Sequence, residues 1–224
     1  MLQQWGIISS SAQEIPWTQP VLSSNGVLGG SSFACVSNDT YSGREAWRAF
    51  DGISNTGWNS TTAASTANPT WLTFYNSIPL KVTKLDLYNW ANYYIVDYSI
   101  VASNDNSSWT TLTTGTFPNA GNYGLNTVNL SNNNSFYNYY KIICTNDNGA
   151  ATAISTLNIT AVQQIAVTNS IIFPTSYSNT GYGFSLGFID ENNTAYCTNK
   201  TISGMSLYNP SSNNGYANWY TIGY

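Results

Sequence analysis

Few residues in this chain are equipped for acid–base or nucleophilic chemistry. There is no histidine among its 224 residues, so the usual general base and any Ser-His-Asp relay are missing. Hydrolysis by paired carboxylates needs two acids facing each other across a bond. The ten acids are Glu14, Asp39, Glu45, Asp51, Asp86, Asp97, Asp105, Asp147, Asp190 and Glu191. Most stand in Asn/Ser-rich turns, where Asp serves local turn hydrogen bonds, and a catalyst would require distant acids to converge. Catalysis is therefore not expected. The cysteines Cys35, Cys144 and Cys197 are far apart and odd in number, and read as small buried thiols. The cations Arg44, Arg48, Lys81, Lys84, Lys141 and Lys200 are scattered in a chain of net charge −4, so no nucleic acid partner is expected. What remains is recognition. Asn89-Trp90-Ala91-Asn92-Tyr93-Tyr94 sets aromatic faces beside amides, the pairing that grips a sugar ring by apolar contact and its hydroxyls by oriented hydrogen bonds.

The elements that position these residues read as strands. Charged residues are only 7% and aromatics reach 15%, with Asn, Ser and Thr supplying solubility. Those polar residues disfavour helix interiors, while aromatic and β-branched residues suit a pleated surface. No stretch keeps an apolar spacing of three and four, which predicts an all-β fold. Short strands are expected at Trp71–Tyr75, Val82–Tyr88, Val96–Ala102, Trp109–Thr113, Tyr123–Leu130, Tyr139–Cys144 and Ile154–Ala161, with Pro79 in Ser77-Ile78-Pro79-Leu80 marking a loop or a strand start. A smaller strand set follows residue 163: Ile171–Phe173, Phe184–Ile189, Ala195–Cys197, Ile202–Leu207 and Tyr216–Ile222. The polar link at 190–194 predicts that Phe184–Ile189 and Ala195–Cys197 pair as a hairpin. No apolar run has membrane-spanning length, so no membrane insertion is expected. Leu2-Gln3-Gln4-Trp5-Gly6 reads as strand, not as a secretion signal.

Ala46-Trp47-Arg48-Ala49-Phe50-Asp51-Gly52 and Asn55-Thr56-Gly57-Trp58 open an ordered series of motifs. Asn68-Pro69-Thr70-Trp71-Leu72-Thr73-Phe74, Tyr98-Ser99-Ile100, the stretch Ala102 to Trp109, Tyr139-Tyr140-Lys141-Ile142 and Ala153-Ile154-Ser155-Thr156-Leu157 continue it. Over about 145 residues the series resembles the discoidin-like family, which includes coagulation-factor C-type domains and family 32 carbohydrate-binding modules. The resemblance implies an eight-stranded jelly-roll β-sandwich over 16–162, with binding loops at one end. It puts Asn89, Trp90, Asn92 and Tyr93 in a loop that carries sugar ligands, Tyr41 and Arg44 in a second, and Asp147 and Asn148 in a third. Asn89 stands where the family typically has Arg. It further implies a structural Ca²⁺ held by Asp51 and Thr56, against which Asp51 as a metal-free turn cap stays open, since Ile53 and Thr156 replace an acid or amide. Trp58, Trp71 and Trp109 sit in framework motifs and are expected in the core.

Ile171-Ile172-Phe173-Pro174, Thr180-Gly181-Tyr182-Gly183-Phe184 and Asn218-Trp219-Tyr220-Thr221-Ile222-Gly223-Tyr224 resemble the C-terminal domain of phage tail fibres, where a Gln-Trp-Gly strand commonly precedes the Phe-Pro strand. Gln4-Trp5-Gly6 at the start predicts that the sandwich is inserted in a fibre-tip β domain built from 1–15 and 163–224. That resemblance implies a homotrimer at the distal end of a virion tail fibre, made in the bacterial host cytoplasm and binding a host cell-surface glycan. The rival readings are a carbohydrate-binding module of a secreted glycosidase or adhesin, a purely structural fibre module, and a depolymerase.

Overall fold

Residues rich in Thr, Val, Ile and Tyr, cut by Gly, Asn and Ser turns, yield strands throughout. The structure, a computed structural model, describes residues 2–10, 13–90, 93–165, 167–172, 183–188, 196–201, 203–209 and 215–223. The strands are β1 (Leu2–Ser10), β2 (Gln13–Pro16), β3 (Phe33–Ser37), β4 (Trp58–Asn59), β5 (Thr70–Tyr88), β6 (Ile95–Ser103), β7 (Thr110–Thr116) and β8 (Leu125–Asn129). They continue with β9 (Tyr137–Asp147), β10 (Ala153–Ile154), β11 (Thr156–Ile165), β12 (Val167–Ile172), β13 (Gly183–Phe188), β14 (Tyr196–Thr201), β15 (Gly204–Asn209) and β16 (Gly215–Gly223). Ala46–Phe50 forms a short 3₁₀ helix. The chain divides into two compact units, Pro16–Gln163 and a second made of Met1–Ile15 with Gln164–Tyr224.

In the first unit β5 serves both layers of a jelly-roll sandwich. Its first half, Thr70–Tyr75, lies between β3 and β9, and its second half, Leu80–Tyr88, lies between β11 and β8. The register breaks between Tyr75 and Leu80, where Ser77, Ile78 and Pro79 are exposed. The expected loop or strand start there is thus a kink within one 19-residue strand, not a gap between two. Pro79, which cannot donate to a ladder, sits at the break. β9 carries β6, and β6 carries β7 at the sheet edge.

Alternation decides what enters the core. Leu72, Phe74, Ile100, Ala102, Ile142 and Leu157 face inward and are fully buried. Phe33 meets Phe50 edge-on at 5.4 Å, and Phe74 stacks on Tyr140 at 5.3 Å. The Tyr140 hydroxyl donates to Leu80 O (2.7 Å) and accepts from Val82 N (3.2 Å), and burial pushes its pKa to about 12. Trp58 is buried with its indole N–H on Asp39 O (2.9 Å). Trp71 and Trp109, expected in the core, instead stand half-buried and clasp Lys141, whose Nζ is 4.6 Å and 3.9 Å from their ring centres. Because Leu72 points inward, the pleat turns Trp71 to the other face.

The second unit holds two three-stranded sheets, ordered β1-β16-β13 and β12-β15-β14. Gln4, Trp5 and Gly6 lie opposite Thr221, Tyr220 and Trp219. β13 pairs with β16 and β14 with β15, so the expected hairpin between Phe184–Ile189 and Ala195–Cys197 does not form. A polar linker signals a change of direction, but partner choice belongs to the ladder that each strand completes. Phe173, Pro174 and the segment from Thr180 to Tyr182 lie outside the described residues.

Candidate functional site

The connections β5–β6, β7–β8 and β3–β4 supply a cluster of aromatic and cationic side chains. Gly43, at φ +75°, closes a turn in which Arg44 N donates to Tyr41 O (2.8 Å). Tyr41 N donates to Asn59 O (2.8 Å) and Asn59 N to Arg44 O (3.2 Å), tying the turn to β4. Across the end of β5, Trp90 and Tyr93 exchange backbone hydrogen bonds of 3.2 and 2.8 Å. This tight reversal presents the Trp90 ring. The Arg44 guanidinium lies 4.1 Å over that ring, and Tyr123 meets it edge-on at 5.8 Å and 75°. Tyr41 and Tyr123 remain 56% and 45% exposed, unusually high for aromatics.

Gly57 permits the arrangement. A Cβ there would stand 2.6 Å from Ile154 O, 2.6 Å from Ser155 Cα and 3.1 Å from Trp90 Cε3. The Trp90 ring thus packs over a position that only hydrogen can occupy.

The F5/8 type C domain model matches residues 32–159, more than half of the chain. The chain belongs to this family. The F5/8 type C sandwich is similar to the family 32 carbohydrate-binding module from Clostridium perfringens NanJ in complex with galactose: 22% identity over 58% of this chain and 93% of that one, TM-score 0.50. It is also similar to an F5/8 type C domain of Bacteroides fragilis (17% identity, 60% and 93% covered, TM-score 0.51). A third neighbour is a C. perfringens family 32 module in complex with GalNAc-β-1,3-galactose (16%, 57% and 94%, TM-score 0.50). At these identities the likeness shows the fold. No curated protein matches the chain.

Within this F5/8 type C domain the expected ligand residues separate into two groups. Tyr41, Arg44, Trp90 and Tyr93 come together, and Asn148 is exposed on its turn. Asn89 and Asp147 point their polar groups inward instead. Asn89 is 4% exposed; its amide donates to Gly121 O (3.1 Å) and its oxygen accepts from Asn126 (3.2 Å). Asp147 is 5% exposed and accepts from Ala64 N (2.7 Å), Gly149 N (2.8 Å) and Thr152 Oγ1 (3.1 Å). Both hold loops in place, because a short amide or acid beside free backbone groups is captured by them. Asn92 lies outside the described residues. Tyr123 joins the site although the sequence read it as the start of a strand; its positive φ of 54°, within Gly121-Asn122-Tyr123-Gly124, turns it outward.

The Asp51 loop does not fit a calcium cage. Asp51 Oδ1 accepts from Ile53 N (2.8 Å) and Oδ2 from Thr56 Oγ1 (2.5 Å), so both oxygens already serve the turn. Calcium takes six to eight oxygens, from carboxylates, backbone and amide carbonyls and water. Among the described residues no three His, Cys, Asp or Glu cluster. For Asp51 and Thr56 the geometry favours the turn cap over the metal.

Asp39, Asp97 and Asp105 are poorly disposed for acid catalysis. Asn146 and Thr116 hold Asp97 low, and the backbone N–H groups of Ser108 and Ser107 hold Asp105 low. Burial pulls Asp39 up, but hydrogen bonds from Thr61 and Thr62 outweigh it and leave it below the usual value. A general acid needs the opposite shift. Burial likewise pushes the Cys35 thiol to about 12 and raises Cys144, leaving both inert.

A second concavity of about 390 Å³ lies toward the other end of β8, lined by Thr111, Thr113, Asn129, Asn132, Asn134 and Tyr137 among others. Its Tyr137 ring packs edge-on against Tyr140, so it offers less free aromatic face than the Tyr41–Tyr123 end.

Proposed function

We propose that this chain is a non-catalytic glycan-binding protein, the receptor-binding tip of a phage tail fibre, in which the F5/8 type C sandwich presents Tyr41, Arg44, Trp90 and Tyr123 to a host-surface sugar. The observation that carries the binding reading is the Trp90 cluster: the Arg44 guanidinium lies over its ring, exposed Tyr123 meets its edge, and exposed Tyr41 stands on the turn that carries Arg44. Aromatic faces beside oriented donors are what a pyranose requires. The tail-fibre placement is supported by the terminal motifs and by Gln4-Trp5-Gly6 lying beside Trp219-Tyr220-Thr221 in one sheet. A homotrimer would offset weak single-site affinity through avidity. A second reading, a carbohydrate-binding module of a bacterial glycosidase, is favoured by the neighbours, whose galactose-bearing examples are family 32 modules.

Light scattering on the whole chain, followed by a glycan array, separates these. A trimer that binds glycans, with the signal lost in Trp90→Ala, supports the fibre tip. A monomer with the same signal supports the free module. Silence on every glycan leaves only a spacer role and overturns the binding reading.

A further inference from the structure

Arg44 differs from Arg48, Lys81, Lys84 and Lys141. Arg48 pairs with Glu45 at 3.1 Å and Lys84 with Asp86 at 2.6 Å. Lys141 is clasped by Trp71 and Trp109, and Lys81 lies over Phe136. Arg44 is half-buried, yet no carboxylate among the described residues meets it; its partner is the face of Trp90. A guanidinium laid over a ring spends its π face on that contact and keeps its N–H donors, which radiate in its own plane. Those donors form a fork matched to a planar oxyanion.

None of the acids Asp39, Glu45, Asp51 and Asp147 pairs with it. Asp51 and Asp147 are buried and committed to their loops, Asp39 is bonded to Thr61 and Thr62, and Glu45 is bound to Arg48. A partly desolvated cation without a counter-charge is costly unless a ligand supplies one. The net charge of −4 does not oppose this at contact range, because exposed charges beyond roughly 8 Å are screened at physiological salt.

We propose, resting on the glycan-binding reading above, that the ligand is an acidic saccharide whose carboxylate takes the Arg44 fork while its ring lies against the exposed tyrosine faces. The shared chemistry is an oxyanion on a sugar, which a phosphate diester of a cell-wall polymer also provides.

The test uses the whole chain on an array of uronate-, sialate- and phosphate-bearing glycans with their neutral counterparts. Calorimetry then compares trigalacturonate with its methyl ester, which has the same rings without the charge. The expected result is that acid-bearing glycans lead the array. In calorimetry the carboxylate is expected to be at least ~10-fold tighter than its ester, a preference that shrinks from 50 to 500 mM NaCl. Arg44→Gln should weaken acid binding by at least ~10-fold and ester binding far less, so that the preference is erased; Arg44→Lys should keep part of it. Phosphate-bearing glycans ahead of carboxylates would assign the tetrahedral anion within the same proposal. Neutral glycans leading the array, or acid and ester bound equally, overturns the acidic class while glycan binding stands. An Arg44→Gln protein that loses acid and ester alike makes Arg44 a brace for Trp90 and also overturns it. Silence on all glycans sinks the parent reading instead.

Discussion

Substituting Gly57 by alanine tests the packing that presents Trp90. The new Cβ would meet Ile154 O and Ser155 Cα at 2.6 Å, where ordinary contact begins at 3.4 Å, so something must yield by about 0.8 Å. Neither backbone atom moves freely. Ile154 pairs with Trp58 in the β4–β10 ladder, and Ser155 N donates to Tyr88 O at 2.8 Å. The softer neighbour is the Trp90 ring at 3.1 Å, and displacing it drags the Arg44 contact with it. Overpacking of this kind costs about 1–3 kcal/mol. For a domain of this size, at roughly 2–4 °C per kcal/mol, that lowers the melting temperature by roughly 2–12 °C. Differential scanning calorimetry reads the first effect, and binding of the best array glycan reads the second, expected to fall at least ~10-fold.

Gly115→Ala is the control. Its Cβ would clash with the Tyr98 hydroxyl at 2.6 Å, and Tyr98 is pinned by stacking on Phe117 at 4.2 Å. It should destabilise comparably and leave glycan binding unchanged. If Gly57→Ala melts with the wild type and binds as well, the close approach of Trp90 to β10 is not what shapes the site. If both variants lose binding equally, the loss reports stability and not the position of Trp90.

Calorimetric titration with Ca²⁺ should give a flat trace and no rise in melting temperature, because both Asp51 oxygens already serve Ile53 and Thr56; a saturable heat would reinstate the metal. Tyr140→Phe should cost about 1–3 kcal/mol in urea unfolding, since Leu80 O loses its buried partner; an unchanged midpoint would mean that water replaces the hydroxyl. Asp39, Asp97 and Asp105 all titrate low in the folded chain, so their contribution is present above the unfolded value of roughly 4 and is lost as pH falls through the folded ones. Melting temperature should therefore be level from pH 7 to about 5 and then fall, and Asp105→Asn should flatten that acid limb; an identical acid limb in the variant would remove Asp105 from the account.

Much of the sandwich was legible because its framework motifs encode burial by alternation. Leu72, Phe74, Ile142 and Leu157 are inward for reasons a period of two can state. The same rule, applied one residue to the side, would have put Trp71 outside; membership of a motif was a weaker guide than the pleat. Strand continuity was harder to read. Pro79 marks a loop or a strand start in the sequence, yet β5 carries it at a register break and continues into the other layer. In the second unit, turn composition marked where the chain reverses but not that β13 would complete one sheet and β14 another.

The site was half legible, and the missing half has a single cause. An aromatic in a polar loop has few internal partners, so Tyr41, Trp90 and Tyr123 stay available at the surface. A short amide or acid in the same loops has many, because each reversal leaves backbone N–H and C=O groups unpaired. The family resemblance made Asn89 and Asp147 candidates for ligand contact, and the loops claimed them first. Arg44 escaped that fate because its guanidinium reaches past the turn that its own backbone closes and rests on Trp90, 46 positions along the chain. Reach, and not polarity, therefore separates the side chains that build these loops from those left to meet a ligand. It follows that specificity in this sandwich is carried by the long side chains Tyr41, Arg44, Trp90 and Tyr123, while exchanging Asn89 or Asp147 alters loop stability first and ligand choice only through it.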